Sequence, residues 1–263
     1  MKTILDTIID QKRIEVANRK EHTSISKLEQ LPLFSSKTHS LKANLRENNF
    51  GIIAEMKRKS PSAGSIHADL DPAKQAQLYS EAGAAGISVL TDEPFFGGTL
   101  TDLEAVANST SIPVLRKDFI IDEYQLFEAK AYGADVVLLI AEALTKEQAF
   151  HFTIMAKQLG LEVLMECHDR KYLDRYNDEV DIYGINNRNL HLQKTDLKTS
   201  FEMIDFLPEG AVCISESGIK NRGDIMDLSA TGYHGALIGE SILKQQSPDK
   251  FIKSLQLDHS HAI

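Results

Sequence analysis

The chain has 263 residues, 42% of them hydrophobic and 25% charged, with a formal net charge of −9, a composition that suits a globular protein with a substantial core and excludes a disordered one. The acidic balance argues against nucleic acid as a partner, because a phosphate backbone is met by a concentrated basic face; an anionic ligand must instead meet a local cluster of donors. No apolar run is long enough to cross a membrane, and the opening "MKTILDTIIDQKRIEVANRK" is too charged for a signal peptide or anchor, so a cytoplasmic protein with no membrane partner is expected.

That opening segment carries apolar residues at Ile4, Leu5, Ile8, Ile9 and Val16, a helical stripe. Residues 1–50 therefore read as an N-terminal helical extension. Its stripe needs a partner, and the catalytic end of the main domain, near "RKSPSAGSI", is expected to supply it, with the opposite end as the alternative. Next come eight short apolar runs rich in β-branched residues, entered at Ile52, Ile87, Pro113, Asp135, Leu161, Asp181, Val212 and Gly235. Between them lie amphipathic stretches with helix start signals. In "DPAKQAQLYSEAGA" Asp71 caps and Pro72 opens the first turn; in "TKEQAFHFTIMAKQLG" Thr145 caps and Gly160 stops. Cys167 and Cys213 lie in apolar runs far apart and read as small buried residues. His259 and His261 fall in a polar tail, "LDHSHAI", and no metal site is assigned to them.

Strands that look buried on both faces, alternating with helices, imply parallel βα units, and eight of them imply a closed (β/α)8 TIM barrel. The rival is an open doubly wound sheet, which announces a Gly-rich turn after its first strand; here "RKSPSAGS" follows instead. The chain thus reads as one barrel domain, residues 1–263, with residues 1–50 as its extension.

Barrel chemistry sits at the C-terminal strand ends. The first strand ends in Glu55 and Lys57, which share a face by the two-residue period; the third delivers Lys117, the fifth Glu166, and the sixth Asn186 followed by Arg188. Each alone could be a solvated strand end. Together they bring two acids, two lysines, an amide and a guanidinium to one mouth. After the last two strands, "SESGIKNR" and "IGESILK" place Ser217 and Gly218, then Gly239 and Glu240, just before helical patterns, where backbone N–H groups can bind a phosphate.

The set "IIAEMKRKSPSAG", "LTDEPFFGGT", "VLRKDFIIDEYQ", "LMECHD", "GINNRNL", "SESGI" and "LIGES" resembles, in order and at nearly every strand end, the motifs of the indole-3-glycerol phosphate synthase family. "ILDTIIDQKRIEVANRK" resembles the extra helix of that family. The resemblance implies a lyase of tryptophan biosynthesis that converts 1-(2-carboxyphenylamino)-1-deoxyribulose 5-phosphate to indole-3-glycerol phosphate, carbon dioxide and water. It implies Lys117 as general acid in ring closure, Glu166 as general base in dehydration, and Glu55, Lys57 and Asn186 as groups that position and polarise the sugar hydroxyls, with Lys57 also reaching the phosphate or assisting as an acid. Ser60 and Arg188 would hold the anthranilate end, Phe96, Phe119 and Leu190 would face the ring, and Ser217, Gly218, Gly239 and the backbone at Glu240 would cradle the phosphate. No cofactor and no metal is expected. The partner is a phosphorylated small molecule, and the protein is expected to be a monomer, with a homodimer as the alternative.

Chemically, a lysine lowered by burial and by a neighbouring lysine is expected as the acid. The side chain of Glu240, a negative charge beside the phosphate loop, is expected to point away. Two other readings stay open. A different phosphosugar-binding barrel enzyme, such as the isomerase of the preceding step, would carry a Cys and Asp pair where Glu and Lys stand here; a non-catalytic metabolite-binding barrel would lack an acid or a base.

Overall fold

The computed structural model describes residues 2–61, 64–189 and 194–257. The eight apolar runs are strands β1 (Gly51–Met56), β2 (Gly86–Leu90), β3 (Val114–Lys117), β4 (Val136–Ile140), β5 (Glu162–Cys167), β6 (Ile182–Asn186), β7 (Val212–Glu216) and β8 (Gly235–Ile238). Each runs parallel to its chain neighbours, and β1 pairs with both β2 and β8, so the sheet is a closed (β/α)8 barrel. Strands β2, β4, β6 and β7 are buried at every position because one face fills the barrel and the other supports helices, which is why they read as unbroken apolar runs.

The α-helices of six residues or more are α1 (Ile4–His22), α2 (Leu41–Glu47), α3 (Pro72–Glu81), α4 (Leu100–Ala107), α5 (Tyr124–Ala131), α6 (Lys146–Gln158), α7 (Lys198–Met203), α8 (Arg222–Ala230) and α9 (Pro248–Leu255). Asp71 caps α3 and Thr145 opens α6 with a capping box to Gln148. Between β5 and β6 the expected helix is replaced by a 3-10 segment, Arg170–Arg175, that Asp169 caps; Tyr172, Leu173 and Tyr176 cover that flank of the barrel in its place. Cys167 and Cys213 are free and buried.

The extension serves both ends of the barrel. The apolar cluster that fills the interior, including Ile53, Leu115, Leu138, Leu164, Ile182 and Leu237, continues into Leu5, Ile8 and Ile9 of α1 on the catalytic side and into Leu41 and Leu45 of α2 on the other. A short helix can plug the floor because β1, β2 and β8 start with glycine: a Cβ at Gly86 would lie 2.7 Å from Leu41 and one at Gly235 2.6 Å from Leu45. The stripe of α1 thus packs at the catalytic end, the one expected of it, while the role of α2 is not evident from the sequence.

Candidate active site

At the C-terminal strand ends one pocket brings together Glu55, Lys57, Ser60, Phe96, Lys117, Phe119, Glu166, Asn186, Arg188, Ser217, Gly218, Gly239 and Glu240. Every sequence-derived candidate among the described residues is present; Leu190 lies outside them, as do His259 and His261. Ile4, Leu5 and Ile8 of α1 line the same pocket with Phe96 and Phe119, whose rings lie 6.1 Å apart, so one side is apolar.

The polar side is a chain of bonded groups. The Lys117 ammonium at the end of β3 donates to Glu166 of β5 at 3.0 Å and to Glu216 of β7 at 2.6 Å. Asn186 of β6 donates its amide to the other Glu166 oxygen at 2.8 Å and accepts the Arg188 backbone N–H at 2.9 Å. On β1 the Lys57 ammonium is bonded to Glu55. Two glycines leave room for carboxylates: a Cβ at Gly184 would lie 2.7 Å from Glu216, and a Cβ at Gly239 would overlap Glu55. The reading of the sequence omitted Glu216, although "SESGI" contains it and Ile214, two residues earlier, fills the barrel interior.

Three carboxylates face two ammoniums here, and burial sets their states. Burial raises the Glu216 carboxyl and Glu166 adds to that, up to about 8 against the pull of Lys117, so Glu216 holds a proton at neutral pH. With that proton the cluster is balanced at two negative and two positive charges. Burial would also raise Glu166, but Lys117 and the Asn186 amide outweigh it and hold Glu166 below its usual range, an ionised base. Burial would likewise raise Glu55; Lys57 and then Lys117 reverse it. The expectation of a lowered lysine is overturned. Burial does act downward on Lys117, but Glu166, Glu216 and Glu55 outweigh it and keep the pKa above the ordinary lysine range.

At the other side of the mouth Ser217 and Gly218 both take left-handed φ angles, 69° and 80°. A serine in that region carries strain, and Asn187 holds it there by donating to the Ser217 carbonyl at 3.0 Å and to Ser215 at 2.9 Å. Helix α8 starts at Arg222, where a capping box of Asn221 and Asp224 takes the N–H groups of those two residues, and the backbone turn at 217–218 lines the pocket ahead of it. After β8, Gly239 precedes the four-residue helix Glu240–Leu243. The Glu240 carboxylate bonds to Lys244 and lies 3.8 Å from Arg188, which lines the same pocket.

A (β/α)8 barrel with a lysine and glutamate pair in hydrogen-bond contact, an apolar wall on one side and a left-handed backbone turn on the other has the makings of an acid–base enzyme. The family model for indole-3-glycerol phosphate synthase matches residues 5–255. An indole-3-glycerol phosphate synthase of Bacteroides thetaiotaomicron is 44% identical over 97% of this chain and 100% of its own length. Proteins of the same description from Salinibacter ruber and Neisseria meningitidis serogroup C are 40% and 42% identical, over 97% and 93% of this chain and 96% and 95% of theirs. The chain belongs to the indole-3-glycerol phosphate synthase family.

Proposed function

We propose that this protein closes the indole ring, converting 1-(2-carboxyphenylamino)-1-deoxyribulose 5-phosphate to indole-3-glycerol phosphate with release of carbon dioxide and water. The observation that carries the reading is the Lys117–Glu166 contact, an acid beside an ionised base, in a chain of this family. The carboxylate-bearing ring carbon attacks the ribulose ketone, and Lys117 donates its proton to the oxygen as negative charge develops there. An alkoxide is a strong base, so an ammonium kept above its ordinary pKa still transfers a proton to it yet stays charged until that moment. Loss of carbon dioxide then returns the bonding pair to the ring. In dehydration Glu166 removes the ring proton, and Lys57 gives the departing hydroxyl the proton with which it leaves as water. Glu55, Lys57 and Asn186 position the sugar hydroxyls, and Lys57 also reaches the phosphate.

The ring lies on the Phe96 and Phe119 side with Ser60 and Arg188 at the anthranilate carboxylate, and the phosphate lies at Ser217, Gly218, Gly239 and the backbone of Glu240. The chain acts as one barrel domain with residues 1–50 as its extension, as a cytoplasmic monomer on a phosphorylated small molecule; among the described residues no helix is long and apolar enough to cross a membrane. Adding the carboxyphenylamino substrate to the purified protein tests the reading, through the indole absorbance and fluorescence of the product. Folded protein without that signal would overturn it.

A further inference from the structure

Lys12, on α1, is a buried cation that the proposed chemistry does not use. Its side chain is fully buried, and its ammonium lies 2.8 Å from Asp92, 2.9 Å from Asp118 and 3.0 Å from Glu15. A buried ion pair is often no more stable than well-packed apolar residues in its place, so stability alone does not account for a lysine here.

Its two fully buried partners belong to two different loops. Asp92, after β2, caps the short helix Glu93–Phe96 by accepting the Phe95 N–H at 3.0 Å. Asp118 directly follows Lys117 and accepts the Phe119 N–H at 2.8 Å. The second Asp118 oxygen takes the Thr91 hydroxyl at 2.7 Å and Arg116 at 2.9 Å, and Arg116 reaches Glu128 on α5 at 3.2 Å. Phe96 and Phe119 are therefore each set by a carboxylate that the same ammonium holds.

We infer that Lys12 is a positioning residue whose ammonium ties α1 to the loops after β2 and β3, so that Ile4, Leu5 and Ile8 form one apolar wall with Phe96 and Phe119 for the aromatic end of the ligand. The inference rests on the functional reading above, which supplies the ring. The charge states agree with it. Burial acts to lower Lys12, but Asp118 and Asp92 outweigh it and keep the ammonium charged. Burial raises Asp92 above its usual range against Lys12, whereas Lys12 and Arg116 together overcome burial at Asp118 and hold it low. Without Lys12, Asp92 is the fully buried carboxylate left uncompensated, while Glu15 is partly exposed.

The test compares Lys12→Met with the charge-balanced pair Lys12→Met and Asp92→Asn in the full chain. Asparagine keeps an acceptor for the Phe95 N–H, and Asp118 keeps Arg116. We expect Lys12→Met to lower Tm and raise KM about tenfold or more; the double variant should regain most of the Tm while KM stays about fivefold above wild type, kcat changes less than about threefold and inhibition by inorganic phosphate stays within about twofold. KM returning to wild type as Tm recovers would assign Lys12 to stability alone and overturn the inference, as would phosphate inhibition weakening in step with KM, or a double variant that does not fold. Calorimetry with anthranilate as the ring probe separates this inference from the functional reading. A wild type that fails to turn over substrate counts against the function only, while equal anthranilate affinity in wild type and double variant overturns the role of Lys12.

Discussion

Lys117 is kept charged by the acids around it, Glu166 first, so its replacement should act on the reacting state far more than on binding. Lys117→Ala is expected to lower kcat by about a thousandfold or more, with substrate affinity within about tenfold, read by steady-state kinetics beside equilibrium binding. Near-normal turnover would remove it as the acid. Glu216 gives a prediction with a sign. The folded state holds a proton on Glu216 up to about pH 8, whereas the unfolded chain releases it near the ordinary glutamate value of about 4.3. Between those limits unfolding releases a proton, so this group's contribution to stability is full below the lower value and is lost as pH rises to the upper one. Glu216→Gln, which copies the protonated form, should therefore raise Tm at pH 8 and lose that advantage towards pH 5. A Tm difference that does not vary with pH would contradict a raised Glu216.

Among the elements, α2 carries a structural load that separates it from α1. Leu45 is fully buried against Gly51 and Gly235, far from the catalytic end. Leu45→Ala should cost about 2–5 kcal/mol in chemical denaturation and leave KM unchanged; a raised KM would mean that the floor and the mouth are coupled. The eight strands were legible because each has apolar residues on both faces and the spacing leaves room for little but one crossover. The floor helix was not, because "LKANLRE" has only Leu41 and Leu45 on one side and looks like a surface turn until the glycines at the strand starts are seen in register. Lys12 was hidden by its neighbours: it stands on the buried stripe of Leu5, Ile8, Ile9 and Val16 at helical spacing, but in a charged helix a lysine passes for solvent-facing. Glu216 stands between two serines in "SESGI", and nothing in the string marks it as buried. The charge state of Lys117 came out opposite to the sequence expectation, since it depends on acids from β1, β5 and β7 that only the closed barrel brings together.

For the whole molecule, the two halves of the extension imply different truncations. Removing residues 1–23 takes away α1, and with it Lys12 and the apolar wall of Ile4, Leu5 and Ile8, while the floor plug stays. That protein should fold, melt somewhat lower and show KM raised about tenfold or more, because contacts common to substrate and transition state are lost. An unchanged KM would show that α1 does not shape the pocket. Removing residues 1–47 also opens the floor, and circular dichroism should then show loss of the cooperative transition.

The central claim is that this barrel mouth performs ring closure with decarboxylation and dehydration through Lys117 and Glu166. Its most direct measurement is a single incubation of the carboxyphenylamino substrate with wild type, Lys117→Ala and Glu166→Gln, following carbon dioxide release and indole fluorescence together. Wild type should give both signals in equal amounts, Lys117→Ala neither, and Glu166→Gln carbon dioxide faster than indole as the dehydrated product lags. Equal and undiminished signals from the two variants, or no indole from folded wild type, would contradict the account.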